Sequence, residues 1–163
     1  MIARFILTVG MVMLFAHAAQ AGRLQIQADA MALNNQRHQV KFTGSVRLER
    51  DDFVLHCDQL VAHYRDRDHA LQRADAFGHV RMRQGETHGT ADKAQLDYTR
   101  DVLTLIGHAV VYQAKGRLEG ATIVHDIRAK HTTVSAPTAG KARLIIEPDK
   151  SGKAAVPVPD WNK

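Results

Sequence analysis

VKFTGSVRL, residues 40–48, is the clearest indication of the fold class. On either side of Gly44, apolar and basic side chains alternate, as in Val40-Lys41-Phe42 and Val46-Arg47-Leu48. This period of two is typical of a β-strand with one apolar face. Similar alternation recurs further along the chain, at 60–64, 80–82, 96–98 and 123–127, with polar turn-like clusters between the runs.

The pattern as a whole predicts an all-β fold with strands of about 5–8 residues joined by short hairpins. No window sustains the i, i+3, i+4, i+7 spacing of a helix over three turns. A short helix over 28–35 (ADAMALNN), rich in Ala, Met and Leu, stays open as an alternative.

A weak internal repeat makes the prediction more specific. Three units each begin at an Asp, run through two strands and reach a Gly followed by apolar residues; the pairs are Asp29 and Gly44, Asp58 and Gly78, Asp92 and Gly107. A fourth, incomplete unit begins at Ala121-Thr122. Such units cannot bury an apolar face alone, so neighbours must stack, as in solenoids and rolled sheets. Glycine within a strand marks a bend, which a sheet needs where it folds over.

The first 21 residues have the pattern of a cleavable signal peptide. Arg4 precedes an apolar run over 5–16, and Ala19-Gln20-Ala21 offers a cleavage site with small residues. An uncleaved membrane anchor is the alternative, although the run is shorter than the roughly 20 residues of a bilayer span. We therefore expect an exported protein with one domain over 22–147 and a disordered, proline-rich tail over 148–163.

Composition argues against several functional classes. The single cysteine among 163 residues excludes a disulfide framework, and the charge of +5 is too modest and too dispersed to call for nucleic acid. The ten histidines show no metal-ligand spacing. Cys57 and His56 are adjacent, so in a strand they point to opposite faces and cannot form a nucleophile–base pair. We expect a non-enzyme without a metal or cofactor; a periplasmic carbohydrate- or lipid-modifying enzyme is the weakest alternative.

Three stretches together resemble the OstA-like domain of the LptA family of lipopolysaccharide-transport proteins: 24–48 (LQIQADAMALNNQRHQVKFTGSVRL), 54–64 (VLHCDQLVAHY) and 89–113 (GTADKAQLDYTRDVLTLIGHAVVYQ). The resemblance implies a rolled or V-shaped antiparallel β-jelly roll, open at both ends, that binds the acyl chains of lipopolysaccharide inside. It also implies a periplasmic bridge for outer-membrane assembly, built by end-to-end association of copies. Its partners would be an LptC-like inner-membrane protein and an LptD-like outer-membrane protein, which would join through edge strands.

The alternation places one set of apolar side chains on the inner face, and the resemblance makes this face the predicted lipid groove. The set consists of Leu24, Ile26, Phe42, Val46, Leu48, Leu55, Val80, Met82, Leu96, Tyr98, Leu105, Val110 and Ile123. Strand periodicity alone does not distinguish a groove from a filled core. A β-scaffold module without a ligand, or an LptC-like component of the same system, therefore stays an alternative. The arginines that alternate with these residues, such as Arg81 and Arg83, would contact lipopolysaccharide phosphates or sugars, or simply form a solvated face.

Overall fold

The computed structural model describes residues 23–113, 116–126, 129, 131–138, 140–148 and 151–152. These residues form ten β-strands and no helix: β1 (Leu24–Gln27), β2 (Ala30–Asn34), β3 (Gln39–Arg50), β4 (Phe53–Tyr64), β5 (Leu71–Gln84), β6 (Thr87–Asp97), β7 (Val102–Gln113), β8 (Gly116–Asp126), β9 (His131–Ser135) and β10 (Arg143–Ile146). The all-β prediction is confirmed. The signal peptide over 1–21 and most of the tail over 148–163 lie outside the described residues.

The strands form a single antiparallel sheet in the order β1-β3-β4-β5-β6-β7-β8-β10, in which β2 also pairs with β3 and β9 also pairs with β8. A short helix over 28–35 is an alternative in the sequence, but the segment contains the strand β2. Met31 and Leu33 continue the alternation and pair with β3. The six central strands have 11 to 14 residues, more than the predicted 5–8. They are longer because each one crosses a bend without ending.

The bend is made by β-bulges at three Gly-X pairs, which are Gly44-Ser45 in β3, Gly78-His79 in β5 and Gly107-His108 in β7. Both residues of every pair have positive φ, between 77° and 79° for the glycine and 44° or 45° for the residue after it. Glycine adopts the larger φ of the first position without strain, whereas the smaller φ of the second position is adopted by Ser or His. The sequence repeat therefore corresponds to a β-bulge that recurs in β3, β5 and β7.

The bulges divide every long strand into two halves and the sheet into two arms. The first arm contains β1, β10 and residues 46–50, 53–57, 80–84, 87–91, 109–113 and 116–120; the second contains β2, β9 and residues 39–43, 59–64, 71–77, 93–97, 102–106 and 122–126. The arms face each other: a Cβ on Gly89 of the first arm would lie 3.4 Å from Leu105 Cδ1 of the second. The sheet is therefore rolled over its apolar face but not closed, as the predicted β-jelly roll requires.

Candidate functional site: the apolar interior

The interior between the arms is lined by the apolar faces of the six long strands. One continuous cluster of buried side chains, each at most 7 % exposed, includes Val46, Leu60, Val80, Leu105 and Ile123. Most of these side chains are aliphatic and small or medium-sized, so the lining is mainly apolar, with Thr87 and His125 as buried polar residues. The expected groove is thus a packed interior over much of its length. An acyl chain could enter it only where the two arms separate.

The structure places the predicted groove residues as follows. Seven are buried in the cluster: Val46, Leu48, Leu55, Val80, Met82, Leu105 and Ile123. Four more are partly buried and pack against it: Ile26, Phe42, Leu96 and Tyr98. Leu24 lies on the edge strand β1 and is 37 % exposed.

Val110 is a correction to the predicted set. Ala109 and Val111 are each 1 % exposed in the interior, so Val110 between them points to the outer face. Its cross-strand neighbours there are Thr90 and Glu119. The bulge at Gly107 sets which residues face inward, and the repeat contained the signal: the residue two positions after the bulge glycine is interior in all three units, as Val46, Val80 and Ala109.

The interior is exposed at both ends of the roll. Met31 and Leu33 in β2 are 68 % and 60 % exposed, and they pair with Phe42 and Val40, which lie on the inner face. At the other end, Leu144 in β10 is 47 % exposed and pairs with Leu118, which packs against the core. Directly paired residues share a face of a sheet, so apolar inner-face side chains meet solvent at β2 and at β10. None of these three residues is in the predicted groove set, although the alternation at Met31 and Leu33 identifies two of them.

A cavity of about 300 Å³ opens where the hairpin ends of the two arms meet; we call it the mouth cavity. Its apolar walls come from Leu48 and Phe53 of the first arm and from Leu96 and Leu103 of the second. This volume is at the lower limit of ordinary ligand pockets. Its rim contains Asp51, Asp52, Asp97, Asp101 and Arg50, and Gln84, Tyr98 and His125 complete the lining.

Two polar groups at the mouth have strongly lowered pKa values. The Asp97 carboxylate accepts hydrogen bonds from Thr99 Oγ1 and Arg100 Nε, both at 2.7 Å, and these hold the pKa of Asp97 well below its usual range. His125 is 3 % exposed, and its Nδ1 lies 2.9 Å from Thr132 Oγ1. Burial lowers the pKa of His125 to about 4, so its ring is neutral at pH 7.

Several arginines and histidines on the outer face form polar contacts with acidic residues of the same or a neighbouring strand. Asp75, 4 % exposed, accepts hydrogen bonds from Arg73 Nε and Gln95 Nε2, both at 2.9 Å, and lies 3.1 Å from His63 Nε2. Arg47 forms an ion pair with Glu49. These contacts favour the solvated-face interpretation for Arg47 and Arg73 over contact with lipid phosphates.

Cys57 is buried, and the described histidines belong to no potential metal-binding cluster. Cys57 is 5 % exposed, and burial raises the pKa of its thiol to about 11. No group of three or more His, Cys, Asp or Glu side chains among the described residues could hold a metal ion. None of the described elements is an apolar helix long enough to cross a bilayer.

Comparison with known proteins identifies the family to which this chain belongs. The model of the family described as "LptA/(LptD N-terminal domain) LPS transport protein" matches residues 25–131, so the chain belongs to this family. The lipopolysaccharide export system protein LptA of Haemophilus influenzae is 20 % identical over 138 residues, which cover 80 % of each chain. The crystal structure of LptH, the LptA-homologous periplasmic component of the lipopolysaccharide transport device of Pseudomonas aeruginosa, has the same fold. Its TM-score is 0.69 at 18 % identity, over 78 % of this chain and 96 % of that one.

Proposed function

We propose that this protein binds lipopolysaccharide in the periplasm and shields its acyl chains while they cross between the two membranes. The observation that carries the proposal is the apolar interior that reaches solvent at both ends, at Met31 and Leu33 on one side and at Leu144 on the other. Each methylene that leaves water gains about 0.8 kcal/mol, so exposing several long acyl chains would cost tens of kcal/mol. A continuous covered path avoids that cost.

An acyl chain can enter only if the two arms move apart, and the way in which the arms are joined allows this movement. Within the described residues, the arms are joined through the long strands at the bend, whereas their hairpin ends meet at the mouth through side chains. Rotation at the bulges would open the mouth and leave the strand pairing within each arm intact. Ile26, Leu55 and Met82, among the predicted groove residues, would then line the acyl chain.

The edge strands suit assembly into a bridge. β1 and β2 end the sheet on one side and β9 and β10 on the other, so each end offers backbone groups that can pair with another sheet. End-to-end association of copies would join their interiors. LptC-like and LptD-like proteins of the inner and outer membranes would occupy the two ends of the bridge. Export by the signal over 1–21 would deliver the chain to the periplasm, where it acts as a carrier and not as an enzyme.

Photo-crosslinking in cells that make lipopolysaccharide tests the proposal. A photoreactive residue is placed at an interior position, Val46 or Met82, or at a matched outer position one residue along the same strand, Arg47 or Arg81. We expect lipopolysaccharide adducts from the interior positions only. Adducts at the outer positions alone, or at none, would contradict the proposal.

A β-scaffold without a ligand is the second candidate, and the tight packing of the interior favours it. Val46, Leu60, Val80, Leu105 and Ile123 are at most 1 % exposed, as in an ordinary core. A scaffold would give no interior adducts while still associating with partners through its edges. In the same crosslinking experiment, both candidates should give protein adducts at Leu144, whereas only a carrier should give lipopolysaccharide adducts at Val46 or Met82.

A further inference from the structure

Tyr98 lies at the mouth with a buried hydroxyl group. It directly follows β6, in the turn that leads to β7, and packs against the apolar cluster. Its Oη has less than 1 Å² of accessible surface and no hydrogen-bond partner among the residues that the structure describes. Burial raises the pKa of this hydroxyl, which keeps it protonated and able to donate.

A buried hydroxyl without a partner is unfavourable, and buried tyrosines usually have one. Packing alone does not require it at position 98, because phenylalanine would provide the same ring without the polar atom. The hydroxyl therefore destabilises the closed roll, and a partner gained in another state of the molecule would offset this. The surroundings of Tyr98 indicate what that partner is.

The mouth cavity combines apolar walls with an acidic rim. Leu48 and Leu103, on opposite arms, provide walls that suit an alkyl chain. Two of the four rim aspartates are ion-paired, Asp97 with Arg100 and Asp51 with Arg50, so the one arginine of the lining already faces a carboxylate and is a poor site for a second one. A neutral ester or amide carbonyl needs no cation and can accept a hydrogen bond from a tyrosine hydroxyl.

We propose that the Tyr98 hydroxyl donates a hydrogen bond to the carbonyl oxygen of an ester- or amide-linked acyl chain that enters between the arms at the mouth cavity. The bond forms only when the arms have moved apart enough for the carbonyl to reach Oη, so it favours the loaded roll over the closed one. Tyr98 thereby selects acylated lipids over alkyl chains that lack a carbonyl. This inference rests on the proposed function, since it requires that acyl chains enter the roll.

The test compares two soluble lipids of equal chain length: a short-chain diacyl phosphatidylcholine with ester linkages and its dialkyl ether analogue. Dissociation constants are measured for the full chain, for Tyr98→Phe and for Tyr112→Phe, a control on the outer face that is 41 % exposed. We expect the wild type and the control to prefer the ester lipid by about threefold to tenfold, the range for one neutral hydrogen bond. Tyr98→Phe should bind both lipids equally.

The outcomes separate this inference from the proposed function. A preference for the ester lipid that survives in Tyr98→Phe overturns the role of Tyr98 and leaves acyl binding intact. Failure of the wild type to bind either lipid overturns this inference, whereas the proposed function is overturned only by the absence of lipopolysaccharide adducts at Val46 and Met82. Thermal unfolding of the ligand-free protein provides a second measurement: Tyr98→Phe should raise the midpoint, because it removes a buried hydroxyl without a partner. A lowered midpoint would show that the hydroxyl is already paired in the closed roll and would overturn the inference.

Discussion

The Asp58 carboxylate lies in the space that a side chain on Gly78 would occupy, because Asp58 Oδ2 contacts the position of a Cβ built there. The same oxygen is 2.7 Å from Nδ1 of His79, so the acid contacts both residues of the bulge in the next strand. The relationship recurs between Asp92 and Gly107. At the bends of β5 and β7, an acid from the preceding strand thus packs against the bulge.

Replacing the bulge glycine tests this relationship. Gly78→Ala introduces a Cβ both at a φ of 77° and against the Asp58 carboxylate, so we expect the free energy of unfolding to fall by about 2–4 kcal/mol. Gly85→Ala is the matched control, since Gly85 has a φ of 54° but its nearest neighbour, Asp52 Oδ2, is 4.0 Å away. The control should lose only the backbone contribution, about 1–2 kcal/mol. Urea denaturation measures both, and equal losses would show that the Asp58 contact adds nothing.

The repeat explains how far the sequence alone could predict this fold. Alternation identified the strands, and the spacing of Asp58 and Gly78 identified a bend, because both depend on residues that are near in sequence. The packing of Gly89 against the arm that contains Leu105 depends on how sharply the bulges turn the backbone, which no local pattern encodes. The mouth cavity could not be predicted for the same reason: it is formed by turns that lie far apart in the sequence.

Val110 is predicted on the wrong face when the bulge at Gly107 is left out of the strand alternation. Counting by twos from an arbitrary residue places Val110 inside, whereas counting from Gly107 places Ala109 and Val111 inside. We expect Val111→Lys to prevent folding or to lower the free energy of unfolding by more than about 4 kcal/mol, because it buries a charge.

Val110→Lys is the control on the neighbouring residue, and it should change stability by no more than about 1 kcal/mol because Glu119 lies opposite on β8. Circular dichroism and urea denaturation of the two variants provide the comparison. If both substitutions are tolerated equally, the inner-face assignment in β7 is wrong.

His125 makes stability depend on pH. Burial lowers its pKa from 6.5 to about 4 in the folded protein, so between these values the unfolded chain binds a proton that the folded chain does not. Stability is therefore fully present above pH 6.5 and is lost as the pH falls towards 4. The loss attributable to His125 should be about 1–2 kcal/mol, after allowance for solvent screening near the mouth.

His125→Asn removes the titrating ring while an amide can still bond to Thr132. Urea denaturation at pH 7.5, 5.5 and 4.5 should show a shallower pH dependence for this variant than for the wild type. Some dependence should remain, since burial and the neighbouring Arg47 and Arg81 lower the pKa of His56 in the same direction. An unchanged slope in His125→Asn would contradict the assignment.

The Cys57 thiol reports on the closure of the interior. Burial raises its pKa from 9.0 to about 11, which reduces the reactive thiolate about 100-fold at pH 8 even before access is considered. We expect an aromatic disulfide reagent to label the folded protein at least about 100 times more slowly than the denatured chain. A control with Cys57→Ala and Ser45→Cys places the thiol at an exposed bulge position in the folded protein, where it should react rapidly. Because Cys57 lies among the side chains that the two arms bury together, rapid labelling of the wild type would mean that the arms separate readily without a ligand.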